Sequence, residues 1–204
     1  QIVWTERLIG LMGARGAGKT TLLLHRIQQT YGQSNKALYV SLDSLSFNKG
    51  DLYDLAEKCW QQGVEALFLD EVHKFETWRQ ELKKVYDLFP KLQVVFTSSS
   101  LLHLMQGNAD LSRRAVVYHL DGLSFREFVQ IETGKTFDPI TLQDLVKNHT
   151  AIASNICAQI KPILYFRQYM QHGFYPYYLQ NSQTYQQKLM ATILQMLEFD
   201  IPYL

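Results

Sequence analysis

The sequence is short of what secreted scaffolds, fibres and membrane proteins are built from. Its two cysteines, Cys59 and Cys157, stand far apart in 204 residues, which suits a reducing cytoplasm better than a disulfide framework. Eleven glycines and five prolines exclude collagen-like and low-complexity chains. No apolar run approaches the roughly 20 residues of a bilayer span, and no signal-peptide pattern is visible, so the expectation is a cytoplasmic chain with no membrane partner. Neither sign of charge dominates: 20 Lys and Arg against 19 Asp and Glu leave a net +1, so bulk electrostatics do not support nucleic acid as a partner. What is present is 47% hydrophobic and 13% aromatic, enough to bury a core in one domain and part of a second. The first residue is Gln1 rather than Met, and the last stretch, Asp200-Ile201-Pro202-Tyr203-Leu204, carries no terminating signal; this reads as an excerpt of a longer protein.

Short apolar runs alternate with amphipathic stretches over the first 120 residues. Leu8-Ile9-Gly10-Leu11-Met12, Ala37-Leu38-Tyr39-Val40, Ala66-Leu67-Phe68-Leu69, Val94-Val95-Phe96 and Val116-Val117-Tyr118 read as buried strands. Lys19 to Tyr31, Asp51 to Gln62 and about Glu76 to Leu88 read as helices, the last stopped by Pro90. Nearly continuous apolar strands separated by helices predict an α/β fold: a parallel sheet covered on both faces, with every strand C-terminus on one edge, where ligands bind. The composition shifts after Leu123. From Ala151 onward only Lys161, Arg167, Lys188, Glu198 and Asp200 are charged, against ten aromatics and eight glutamines. Phe125 to Ile131, Thr141 to Asn148, Lys161 to His172 and Thr184 to Leu197 read as helical. The expected organisation is a core over residues 1–123 and an α-helical subdomain over 124–204. A Tyr/Gln-rich, charge-poor surface suits self-association or a partner protein; core aromatics beneath a polar helical face would leave the same pattern.

The strongest local signal is Gly13-Ala14-Arg15-Gly16-Ala17-Gly18-Lys19-Thr20, a full G-x-x-x-x-G-K-[ST] match that follows a strand and opens a helix. Glycines let the backbone wrap a phosphate with its N–H groups inward, helped by the helix N-terminus. Lys19 is placed to reach the β- and γ-phosphates and the Thr20 hydroxyl to ligate Mg2+, with Thr21 next along the helix. Leu67-Phe68-Leu69-Asp70-Glu71 is an apolar strand ending in two acids. Behind a phosphate loop, Asp70 suits the Mg2+ site and Glu71 the base that orients attacking water, although two acids at a strand end also cap helices. Val94 to Ser100 ends in hydroxyls, and in P-loop ATPases with the extra glutamate this strand lies between the loop strand and the acidic one. Ser98 is the first choice, and Thr97 the second, for contact with the γ-phosphate or the water; Ser99 and Ser100 fit N-caps of a helix from Leu101. In Arg113-Arg114, a residue such as Arg114 could stabilise transition-state charge across an interface, or the pair is a solvated basic patch.

Other matches carry less. Asn48-Lys49-Gly50-Asp51 spells the guanine-reading motif of GTPases but precedes the acidic strand instead of following it. Asp70-Glu71-Val72-His73 spells a helicase box, yet no second motor domain has room. His25, His73, His103, His119, His149 and His172 lack metal-ligand spacing, and Asn148-His149-Thr150 is a formal glycosylation acceptor in a chain read as cytosolic.

With these residues together, the chain resembles the prokaryotic AAA-type P-loop ATPases. The shared segments are Gly13 through Leu23, Tyr39-Val40-Ser41-Leu42-Asp43, Leu69-Asp70-Glu71-Val72-His73-Lys74 with Trp78, Thr97-Ser98-Ser99-Ser100, and Leu123-Ser124-Phe125-Arg126-Glu127-Phe128, covering about residues 5 to 130. Two positions depart: the family often has Thr-Gly-Ser-Ser at the fourth strand, and Gly-Arg where this chain has Arg113-Arg114. The resemblance implies a three-layer sandwich with a five-stranded parallel sheet in the order 5-1-4-3-2, binding of ATP with Mg2+, and a further C-terminal domain entered through Leu197-Glu198-Phe199-Asp200-Ile201. The expected function is an ATPase core that drives a conformational change. The alternatives are a nucleotide-responsive interaction module with negligible turnover alone and, more weakly, a P-loop kinase of a small molecule, for which residues 121 to 204 offer few lid arginines.

Overall fold

The computed structural model describes residues 2–43, 51–98 and 109–200. Five strands, β1 (Leu8–Met12), β2 (Ala37–Ser41), β3 (Ala66–Asp70), β4 (Gln93–Ser98) and β5 (Val116–His119), form one parallel sheet in the order β2-β3-β4-β1-β5. This is the expected order read from its other edge. The helices between them are α1 (Lys19–Tyr31), α2 (Asp51–Gln61), α3 (Trp78–Leu88) and the single turn α4 (Ala109–Ser112). The guanine-like Asn48-Lys49-Gly50 lies outside the described residues, and Asp51 opens α2. Ser99, Ser100, Leu101 and His103 lie outside them as well.

All of β1 and β3 is buried, which is why neither shows a polar–apolar alternation. Strand pleating splits their side chains between two layers. Ile9, Leu11, Phe68 and Val95 pack with Leu23 of α1, whereas Leu8, Met12, Leu67, Leu69, Val94 and Phe96 pack with Leu52 and Ala56 of α2 and Trp78, Leu82 and Val85 of α3. Glu81, 1% exposed, accepts from the Tyr53 amide at 3.1 Å and so ties α3 to the first turn of α2.

The chain divides into two compact units, one running to Asp121 and taking in the residues from Gln195 on, the other spanning Gly122–Leu194. The second contains α5 (Phe125–Thr133), α6 (Leu142–Gln159), α7 (Pro162–Gln168) and all but the last residue of α8 (Tyr185–Gln195). Ser124 and Glu127 form a complete capping box at the start of α5, so the Ser-Phe-Arg-Glu-Phe segment is in part a helix-start signal, worth about 1 kcal/mol. Helix α6 runs eleven residues past the expected stop at Asn148 (148 to 159), with Asn148 itself off helical geometry at φ −129°, ψ 17°. Helix α7 gives way to a wide π-type turn over Tyr169–Gly173. The core of this unit is aromatic: Phe128, Tyr178 and Tyr185 are buried, with Tyr165, Tyr169, Tyr175 and Tyr177 packed around them.

Candidate nucleotide site

The loop between β1 and α1 sits at the C-terminal edge of the sheet. Gly13 has φ +155°, and a Cβ there would lie 2.1 Å from the Leu120 carbonyl oxygen, so only glycine lets the chain leave β1 beside the end of β5. Gly18, with φ 96°, turns the backbone into α1, and no side chain caps that helix start, leaving its first amides to face the loop. Lys19 is 6% exposed, and its Nζ donates to the carbonyls of Gly13 and Ala14, both at 2.9 Å. The loop is thus closed around an ammonium group. Thr20 and Thr21 occupy the exposed first turn of α1.

Asp70, at the last position of β3 and 4% exposed, gathers three hydroxyls. Thr20 Oγ1 donates to Oδ2 at 2.6 Å, Tyr39 Oη donates to the same oxygen at 2.9 Å, and Thr97 Oγ1 donates to Oδ1. The Thr97 oxygen also accepts from the Glu71 amide at 2.9 Å, so one hydroxyl ties the two acids together. Burial, with the bond to Asp70 adding to it, pushes the Tyr39 phenol up to about 12; it therefore stays a proton donor across the physiological range. Glu71 adopts left-handed backbone geometry (φ 58°, ψ 45°), the only such non-glycine among the described residues. That conformation costs a glutamate about 1 kcal/mol and turns its side chain out of the strand's pleat. Burial raises the Glu71 pKa; Arg15 opposes this, the charges of Asp70 and Asp43 reinforce it, and Lys19 opposes it weakly.

These contacts place Lys19, Thr20, Asp70 and Thr97, with Glu71 beside them, around one loop mouth, and Arg15 close enough to act on Glu71. Ser98 and Arg114 make other contacts. Ser98, next to Thr97 in β4 and paired with Met12, falls on the opposite face of the pleat, its buried hydroxyl without a hydrogen-bond partner. Arg114 holds Asp87 in a two-point ion pair, Nε to Oδ1 at 2.9 Å and Nη2 to Oδ2 at 3.1 Å. Tyr39 escaped the reading of site residues, since it looked like one more apolar strand position; its only sequence signal is a hydroxyl near the end of a strand beside the acidic one.

A phosphate loop opening a helix, with an acidic strand one place removed across a parallel sheet, defines a P-loop nucleotide-binding domain. Residues 5–129 match the AAA domain family, and the chain belongs to it. No curated protein matches it in sequence. Among solved structures it is similar to C. elegans PCH-2, at 18% identity and a TM-score of 0.44 over 69% of this chain and 40% of that one. It is also similar to Drosophila ORC bound to DNA, at 18% identity and a TM-score of 0.46 over 63% of this chain and 41% of that one. The chain therefore spans about two fifths of each of these proteins.

Proposed function

We propose that the chain is a Mg2+-dependent ATPase core that hydrolyses ATP and passes its nucleotide state to the helical unit. The observation that carries this reading is the 2.6 Å bond from Thr20 to Asp70 beside the lysine-filled loop. A hydroxyl and a carboxylate oxygen at that separation form a hard-oxygen pair suited to Mg2+. Among the described residues no group of three His, Cys, Asp or Glu could hold a metal, so such an ion would complete its shell with water and substrate phosphates. When bound, Mg2+ neutralises phosphate charge.

The chain's own residues do the rest. The loop amides and Lys19, exchanging the Gly13 and Ala14 carbonyls for phosphate oxygens, bind the β- and γ-phosphates. Tyr39 and Thr97 keep the Asp70 carboxylate aimed at Thr20. Glu71, held in place by its amide's bond to Thr97, orients a water and accepts its proton.

Lys19→Ala is expected to remove ATP binding in a fluorescent-nucleotide titration. Glu71→Gln should retain binding while turnover falls by about 100- to 1,000-fold; hydrolysis at the parent rate in that variant would refute the assignment of the base. The pH profile is a second check. Glu71 must be ionised to act, and burial raises its pKa, so turnover should fall as pH drops through a value above the ordinary glutamate range, near 4.3. An acid limb at or below that value removes Glu71 as the titrating base.

A second reading, a nucleotide-responsive module with little turnover alone, is favoured by the engagement of Arg114 with Asp87. An arginine held within its own chain is not extended toward a neighbour's phosphate. Specific activity that rises with protein concentration would instead indicate an arginine supplied across an oligomer interface.

A further inference from the structure

On the face of the sheet that packs α2 and α3, away from α1, lies a cavity of about 350 Å3, at the small end of the range for ligand cavities. Its apolar lining is the buried Phe96 of β4 and Leu111 of α4 with the half-buried Ala115 and Val117, and the exposed His119 lines it as well. Gly10 of β1 faces this layer, where a Cβ would meet the Phe96 ring at 2.8 Å and Val117 at 3.3 Å.

Three polar residues line it, Ser112, His119 and Arg79, and the guanidinium of Arg79, in the first turn of α3, is the permanent charge among them. Its guanidinium lies over the Trp78 ring, 4.8 Å from the centroid, and Trp78 in turn packs on Phe96 with centroids 5.5 Å apart. Among the described residues Arg79 pairs with no carboxylate, and its Nη2 is buried without a hydrogen-bond partner. Burial alone lowers the Arg79 pKa, with no neighbouring charge contributing. An arginine that is half withdrawn from water usually has an anion beside it, because an unpaired buried charge is costly. Every other exposed or half-buried arginine need not carry that implication; this one lines a hollow with apolar walls.

We propose that this cavity is a binding site for a small carboxylic acid with an apolar, planar or branched body. The guanidinium fork matches a carboxylate in two-point geometry. A single cation suits a single negative charge, whereas a phosphate ester would bring a second charge among Phe96, Leu111 and Val117. His119, which lines the same cavity and offers an N–H in either tautomer, suits a polar substituent on that body. The phosphate loop does not take part, so the proposal stands apart from the ATPase reading.

The test uses 2-naphthoate and its uncharged isostere 2-naphthamide, titrated calorimetrically into the whole chain. Naphthoate should bind one site and the amide about tenfold more weakly. Arg79→Gln should bring naphthoate down to the level of the amide, and Ala115→Phe, which fills the hollow, should abolish both. Lys19→Ala, which removes anion capture at the phosphate loop, should leave naphthoate binding in place. The proposal is overturned if acid and amide bind alike, if Arg79→Gln binds naphthoate as the parent does, if Lys19→Ala loses it, or if naphthoate fails to saturate the parent by ~10 mM.

Discussion

The sheet unit and the helical unit bury their residues in different ways. Up to Asp121, apolar side chains enter two layers on either side of a parallel sheet, and β1 and β3 are buried along their whole length. In Gly122–Leu194 burial concentrates on Phe128, Val129, Tyr178 and Tyr185, while α6, with eighteen residues, buries none. The first arrangement is redundant, because β3, β4 and β1 each pair with a strand on either side and also face a helix layer. The second hangs on a few rings. Phe128 lies with centroids 5.3 Å from Tyr178, 5.6 Å from Tyr169 and 6.1 Å from His172, and a Cβ on Gly173 would come within 2.9 Å of it. Polar groups divide in the same way: a buried hydroxyl–carboxylate cluster at the sheet edge against phenols ringing a core.

The sharpest way to break this contrast is Phe128→Ala. Removing a fully buried phenylalanine costs about 3–5 kcal/mol, and few other contacts in its unit can compensate. Hydrogen exchange should show lost protection in α5 and α8 with β1, β3 and β4 still protected. Loss of protection in the sheet to the same extent would mean that the two units unfold as one.

Next in size is Thr97→Ala. It leaves the Asp70 Oδ1 and the Glu71 amide without their shared partner, at a cost of about 2 kcal/mol. Because that partner joins the two acids, turnover should drop while the helical unit keeps its thermal behaviour. Thr97→Ser keeps the hydroxyl and should restore most of the activity. If Thr97→Ser is as impaired as Thr97→Ala, the methyl group and not the hydroxyl matters, and the bridge between Asp70 and Glu71 is not what positions the base.

That pair of variants also shows where sequence reading stops. The phosphate loop was legible because its chemistry depends on consecutive residues, and Asp70 because an acid closing an apolar strand stands out. The strand order followed from the resemblance. The choice between Thr97 and Ser98 depends on pleat parity, and parity is invisible in a strand buried on both faces, since Val94, Val95 and Phe96 show no alternation. Tyr39 reaches Asp70 only through the register that pairs Val40 with Leu69 and Ser41 with Asp70, a fact of two strands whose partners stand 29 residues apart. Arg114 is bound to Asp87 at the far end of α3, a tertiary ion pair that no local pattern announces. Asn148 marked a helix stop that is instead a kink, because the chain beyond it from His149 resumes helical geometry.

The smallest effect belongs to the surface of the helical unit. On α6, Leu142, Leu145 and Val146 are 76%, 46% and 70% exposed, so the hydrophobic energy of these side chains is largely unrealised in the folded chain. Val146→Ser should therefore change stability by less than about 0.5 kcal/mol, the range for a surface position that touches nothing. Serine and valine differ modestly in helix propensity, so propensity does not mask the result. A loss of about 1.5 kcal/mol or more, measured by denaturant midpoint at low protein concentration, would mean that Val146 is covered within a single chain in solution. A loss seen only at high concentration would mean that a second copy covers it, and mass action separates the two, since cover by another molecule weakens on dilution whereas cover by the same chain does not.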